Sequence, residues 1–203
     1  MAITEKAIEI AIKYWVNVIK SGDDHDNGDT SPASAIASIL ANNFSKNDIL
    51  TEEQITTFKT ELNNNIKQAI EKFPDFRIEM YSDYGPGWIL RPAAEKAKIN
   101  TMRFPWKTGV ILECDTDIVI EMKPYNKQKF TQRILYASAD AIKYLITERE
   151  KTIQHEQSGE RKHSEFWTDN DSKQLVNSLK TEINDLNKLL QNNPNCYIRE
   201  NLQ

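Results

Sequence analysis

The sequence predicts an α+β protein: an N-terminal helical layer packed on a small antiparallel sheet, followed by C-terminal helices. Three observations carry that expectation. Both flanks of the chain repeat apolar residues at helical spacing, whereas the middle changes to a period of two. Residues 74–130 also hold five of the seven prolines and three of the six glycines, the residues that build turns between short strands. Residues 1–135 are expected to form an α+β core domain, three helices and then the sheet. Residues 136–203 are expected to form a helical extension that packs on the core or on a second chain.

The first helix should span residues 4–20, with Ile8, Ile12, Trp15, Val16 and Ile19 on one stripe and Ser21-Gly22 at its end. After an acidic loop, Thr30 or Ser31 caps a second helix whose first turn holds Pro32, where a missing N–H costs nothing. Ile36, Ile39, Leu40 and Phe44 supply its buried side. Thr51-Glu-Glu-Gln opens a third helix reaching Phe73, with Ile55, Phe58, Leu62, Ile66 and Ile70 inward and Pro74 closing it.

Phe76, Ile78 and Met80 then alternate with Arg77, Glu79 and Tyr81, the pattern of a half-buried strand. Asp83-Tyr-Gly-Pro-Gly87 reverses the chain, and a short helix follows over residues 91–99. Residues 109–113 and 117–123 read as strands joined by Cys114-Asp-Thr-Asp117, with a further strand over 127–133. From Leu135 the pattern is helical again, through Ile142, Leu145 and Ile146 to residue 154. A polar turn around Gln157-Ser-Gly-Glu160 precedes a last helix over 171–191, whose stripe is Leu175, Leu179, Ile183, Leu186 and Leu190. Lys180, Glu182, Asp185 and Lys188 flank that stripe, so the helix suits either its own domain or a second chain as a homo-oligomer.

A net charge of −4 over 203 residues, with 39% apolar and 28% charged residues, describes an ordinary globular chain. Nucleic acid is not an expected partner on that charge, although residues 91–133 carry nine Lys/Arg against five Asp/Glu. No stretch reaches the roughly twenty apolar residues that span a bilayer, and the N-terminus turns charged at once. Cys114 and Cys196 make no spaced framework. These features point to the cytoplasm, with no membrane partner and no cofactor.

Three groups of residues bear on function. Asp23, His25, Asn27 and Gly28 echo a calcium loop, but His25 and Ser34 stand where key ligands belong, so no metal site is assigned and Asp24, Asp26 and Asp29 offer only adventitious binding of a divalent ion. Asp75, Glu121 and Lys123 resemble the carboxylate and lysine set of a magnesium-dependent nuclease, since residues two apart on a strand share a face. The plainer account of Glu121 and Lys123 is the polar face of an amphipathic strand. The third group is an aromatic turn region, in which Asp83, Tyr84, Trp88, Trp106 and Lys107 form a candidate binding surface. Only His25, His155 and His163 are available for acid–base work, and no nucleophile elbow, phosphate loop or paired-cysteine motif occurs.

Three pieces taken together carry a resemblance: Asp26-Asn-Gly-Asp29 before a helix, Asp83-Tyr-Gly-Pro followed by Ala93-Ala94, and Phe104-Pro-Trp-Lys-Thr108. Over residues 1–125 they resemble a group of small uncharacterised proteins of bacteriophages, prophages and related mobile elements. The resemblance implies a mobile-element origin and a non-enzymatic or host-interaction role, and it supplies no catalytic residue. The expected function is therefore a non-enzymatic interaction protein that binds a host or phage macromolecule, with a protein as the partner. The alternative is a magnesium-dependent nuclease using Asp75, Glu121 and Lys123.

Overall fold

The computed structural model describes residues 3–21, 49–74, 76–83, 85–125, 129–158 and 169–199. The helix expected over residues 30–44 and the acidic loop before it lie outside the described residues. The order of elements is α1 (Glu5–Ser21), α2 (Glu52–Lys72), β1 (Ile78–Ser82), α3 (Leu90–Lys96), a 3-10 turn (Thr101–Arg103), β2 (Thr108–Glu113), β3 (Ile118–Tyr125), β4 (Lys129–Ser138), α4 (Ala139–Gln157), α5 (Asp169–Asn192) and β5 (Cys196–Ile198). The fold is α+β.

The strands form one sheet in the order β1-β2-β3-β4-β5. β1 and β2 pair antiparallel with Tyr81 opposite Gly109 and Met80 opposite Val110, and β2 and β3 pair antiparallel with Gly109 opposite Met122 and Val110 opposite Glu121. Since successive side chains alternate, Ile78, Met80, Val110, Leu112, Val119 and Glu121 share one face. Tyr81, Glu79, Gly109, Ile111, Ile120 and Met122 share the other.

Helix α1 packs against β2, β3 and α2. The sequence marks a single stripe on it, but Ala7, Ile10, Ala11, Tyr14 and Val18 are buried as well, so the helix is enclosed on more than one side. Trp15 and Phe58 meet Phe104, with ring centroids 5.9 and 6.0 Å apart, and this aromatic cluster fills the centre. Thr51 caps α2 with a reciprocal pair of bonds to Gln54, the local signal that starts the helix where its sequence places it. Arg103 is buried and donates to the Ile19 carbonyl at 2.8 Å, closing the last turn of α1.

Two sequence expectations are corrected. β4 continues through Ser138 where a helix was expected from Leu135, because Ser138 is the helix cap, accepting from the Ala141 N–H. The chain also adds β5 after the last helix. The Arg199 N–H there donates to the Leu135 carbonyl at 3.0 Å.

The chain divides into two compact units, Met1–Tyr136 with Ile198–Gln203, and Ala137–Tyr197. In the second, α4 and α5 pack on each other, Ile142, Ile153, Leu179 and Leu186 are buried, and Arg149 pairs with Glu182 at 3.1 Å.

Candidate binding surface

The chain reversal after β1 depends on a glycine. The Gly87 N–H donates to the Tyr81 carbonyl at 2.8 Å, and a Cβ at position 87 would lie 2.8 Å from that same oxygen. No side chain fits there. Ser82 bridges to Pro86, and the Arg91 guanidinium donates to the Pro86 carbonyl at 3.3 Å, so the turn is held from both ends. Across the ladder, Lys107, the residue before β2, lies in the left-handed region at φ 53°.

These features frame a groove of about 330 Å³ on the sheet's outer face. Gly109, Ile111 and Met122 are among its lining residues, with Tyr81 beside them and Glu79, Asp83 and Lys107 contributing charge. Gly109 lines the groove without a side chain of its own. A Cβ there would approach the Tyr81 Cβ to 3.2 Å and the Met80 carbonyl oxygen to 3.4 Å. A glycine inside a strand is the sequence signal for such a close approach.

A second hollow of about 460 Å³ lies next to it, lined by Phe73, Phe76, Arg77, Ile78, Glu79, Tyr81 and Trp88. Tyr81 and Glu79 belong to both. The structure therefore brings Asp83 and Lys107 to the groove and Trp88 to the neighbouring hollow. Trp106 is half-buried and lines neither. Tyr84 lies outside the described residues. Phe73, Phe76, Arg77, Gly109 and Met122 were not foreseen as part of this surface.

Of the nuclease set, Asp75 lies outside the described residues, as does the Lys123 side chain. Glu121 is 4% exposed and faces the same way as Met80 and Val110, with Arg199 bonding its carboxylate at 3.0 Å. Its expected place on a polar strand face is thus corrected. The carboxylate turns inward and is neutralised by an arginine brought in after β5. A metal ion there would have to displace that guanidinium. Asp24, Asp26 and Asp29 lie outside the described residues. Among the described residues no three His, Cys, Asp or Glu side chains gather as a metal-ligand set. No helix among them is long and apolar enough to cross a membrane.

A second buried carboxylate is structural. Asp117, at φ 57° in the β2–β3 turn, accepts from the Thr4 N–H at 2.8 Å, the Thr4 hydroxyl at 2.9 Å and the Tyr136 hydroxyl at 3.1 Å. One side chain joins the start of α1, a sheet turn and β4. Close by, burial pushes the Glu113 carboxyl above its ordinary range, opposed by the Arg77 charge, and burial likewise raises the Cys114 thiol.

No protein-family model, no curated protein and no solved structure matches this chain.

Proposed function

We propose that the protein is a non-enzymatic binding protein acting in the cytoplasm, which seats an apolar side chain of a partner protein in the groove beside Gly109. The observation that carries this reading is the groove itself. It is an apolar depression of about 330 Å³ on a sheet face, bordered by the exposed Tyr81 ring and by Asp83 and Lys107. Concave apolar sites of this size with a few convergent polar groups suit specific recognition. The resemblance to mobile-element proteins supports a host or phage macromolecule as the partner. A nuclease centred on Glu121 is the weaker reading, since Arg199 already occupies that carboxylate.

The test is capture of a partner from bacterial lysate by the immobilised chain, repeated with Met122→Lys and with Lys107→Asn. Asparagine tolerates the left-handed backbone at position 107 while removing the charge. A partner held by the wild type and lost with both variants, their circular dichroism unchanged, is the expected result. Retention by both variants, or capture of nothing, overturns the reading. Magnesium-dependent cleavage of plasmid DNA that Glu121→Ala abolishes would establish the nuclease in its place.

A further inference from the structure

We infer that the outer edge of β1 pairs antiparallel with β1 of a second copy of this chain, Arg77 of each copy lying opposite Glu79 of the other. The inference concerns the strand edge and does not rest on the groove reading.

β1 stands first in the strand order and so has one neighbour among the described strands. On its outer side the Tyr81 carbonyl is taken by the Gly87 N–H. Antiparallel alternation then turns the backbone N–H and C=O of every second residue the same way, which includes Glu79 and, extending the strand, Arg77. The Ser82–Pro86 bridge covers the edge at its far end, short of Glu79 and Arg77. Among the described residues, no turn, loop or helix bonds to the Glu79 backbone.

Open edges invite another strand, and proteins commonly blunt them with lysine, proline or a bulge. Here the edge is instead bordered by exposed aromatics: Phe73 at 37%, Phe76 at 68%, Tyr81 at 47% and Trp88 at 58% exposure, around the 460 Å³ hollow. An aromatic patch of this kind marks an interaction surface.

The charges select the occupant and the register. Arg77 and Glu79 pair with each other at 2.7 Å within one chain, so both side chains lie on one face of the strand. In a two-fold strand pair, the outward residues can meet in three ways near the centre. Arg77 meets itself, Glu79 meets itself, or Arg77 meets Glu79. The first two set like charges opposite one another, which destabilises a pair. The third centres the two-fold on Ile78 and creates two opposite-charge pairs. An interface of this kind is isologous, each patch serving as its own complement. The charges set the register, and burial of the aromatic border supplies the affinity.

Sedimentation over a range of concentrations tests this with the full chain. The expected result is a dimer for the wild type and at least about a tenfold weaker dimer for Arg77→Glu alone and for Glu79→Arg alone. An equimolar mixture of the two variants regains wild-type association, because each supplies the sign the other lacks. Both side chains are well exposed, so the variants should keep the wild-type circular dichroism. A wild type that stays monomeric throughout overturns the inference and leaves the edge to a strand of another protein. Single variants that dimerise like the wild type overturn it too, and place any dimer elsewhere, for example on α5. Failure of the mixture to recover also overturns it. None of these outcomes depends on Met122 or Lys107, so the groove reading stands or falls separately.

Discussion

On the helix-covered face of the sheet, Met80, Val110, Leu112 and Val119 are all but inaccessible, and even Glu121 is enclosed and paired. On the opposite face of the same strands Ile111 and Ile118 are buried too, but Tyr81 stands half-exposed beside a glycine, and Met122 and Ile120 are half-buried. The two faces alternate residue by residue along a common backbone, so secondary structure does not distinguish them. The difference lies in what covers each. Helix α1 lies on β2 and β3, whereas the groove at Gly109 keeps its depression open. One face is closed by packing, and the other carries an open groove.

The largest effect should come from the covered face. Leu112→Ala should cost about 2–5 kcal/mol in urea unfolding, the usual range for a fully buried leucine, while Tyr81→Ala should cost about 1 kcal/mol or less. Equal costs would break the distinction, since the outer face would then be core.

Next in size is the carboxylate that ties α1 to the sheet. Asp117→Ala removes three hydrogen bonds and puts alanine at positive φ, and the expected loss is about 2–3 kcal/mol. Tyr136→Phe removes one of those bonds and should lose about 1 kcal/mol by the same measurement. If the two variants lose the same amount, Asp117 is not the joint that its geometry describes.

The smallest effect is a pH dependence on the outer face. Burial raises the Glu113 carboxyl in the folded chain above its unfolded value, with Arg77 opposing it. The folded state therefore binds more protons than the unfolded state between the ordinary carboxylate range and the raised value. Stability should fall as pH rises through that window. Glu113→Gln should flatten the difference curve of urea midpoints against pH, and an unchanged curve would show that this side chain carries no such cost.

Much of the fold was legible because its signals are local. Thr51 with Gln54 starts α2, Gly87 turns the chain, and the alternation at Ile78 and Met80 identifies β1 and its buried face. The candidate surface was legible only in part. Asp83, Trp88 and Lys107 drew notice as turn and aromatic residues. Gly109, Met122, Phe73 and Phe76 entered only once the register of β1, β2 and β3 set them beside Tyr81. Glu121 misled for the same reason: alternation assigns a residue to a face without saying which face is covered.

By itself the sequence determined the fold class, the start and stop of most described elements, and which residues share a side of each strand. Those depend on neighbours one to four positions apart, where backbone sterics, caps and periodicity act directly. Tertiary structure alone decided that α1 is enclosed on more than one side, that Arg199 neutralises Glu121, that Asp117 bonds Thr4 and Tyr136, and that an apolar groove opens at Gly109. Each of these joins residues brought together from distant parts of the chain. Burial and pairing energies belong to such contacts, and they exist only after the chain has closed on itself.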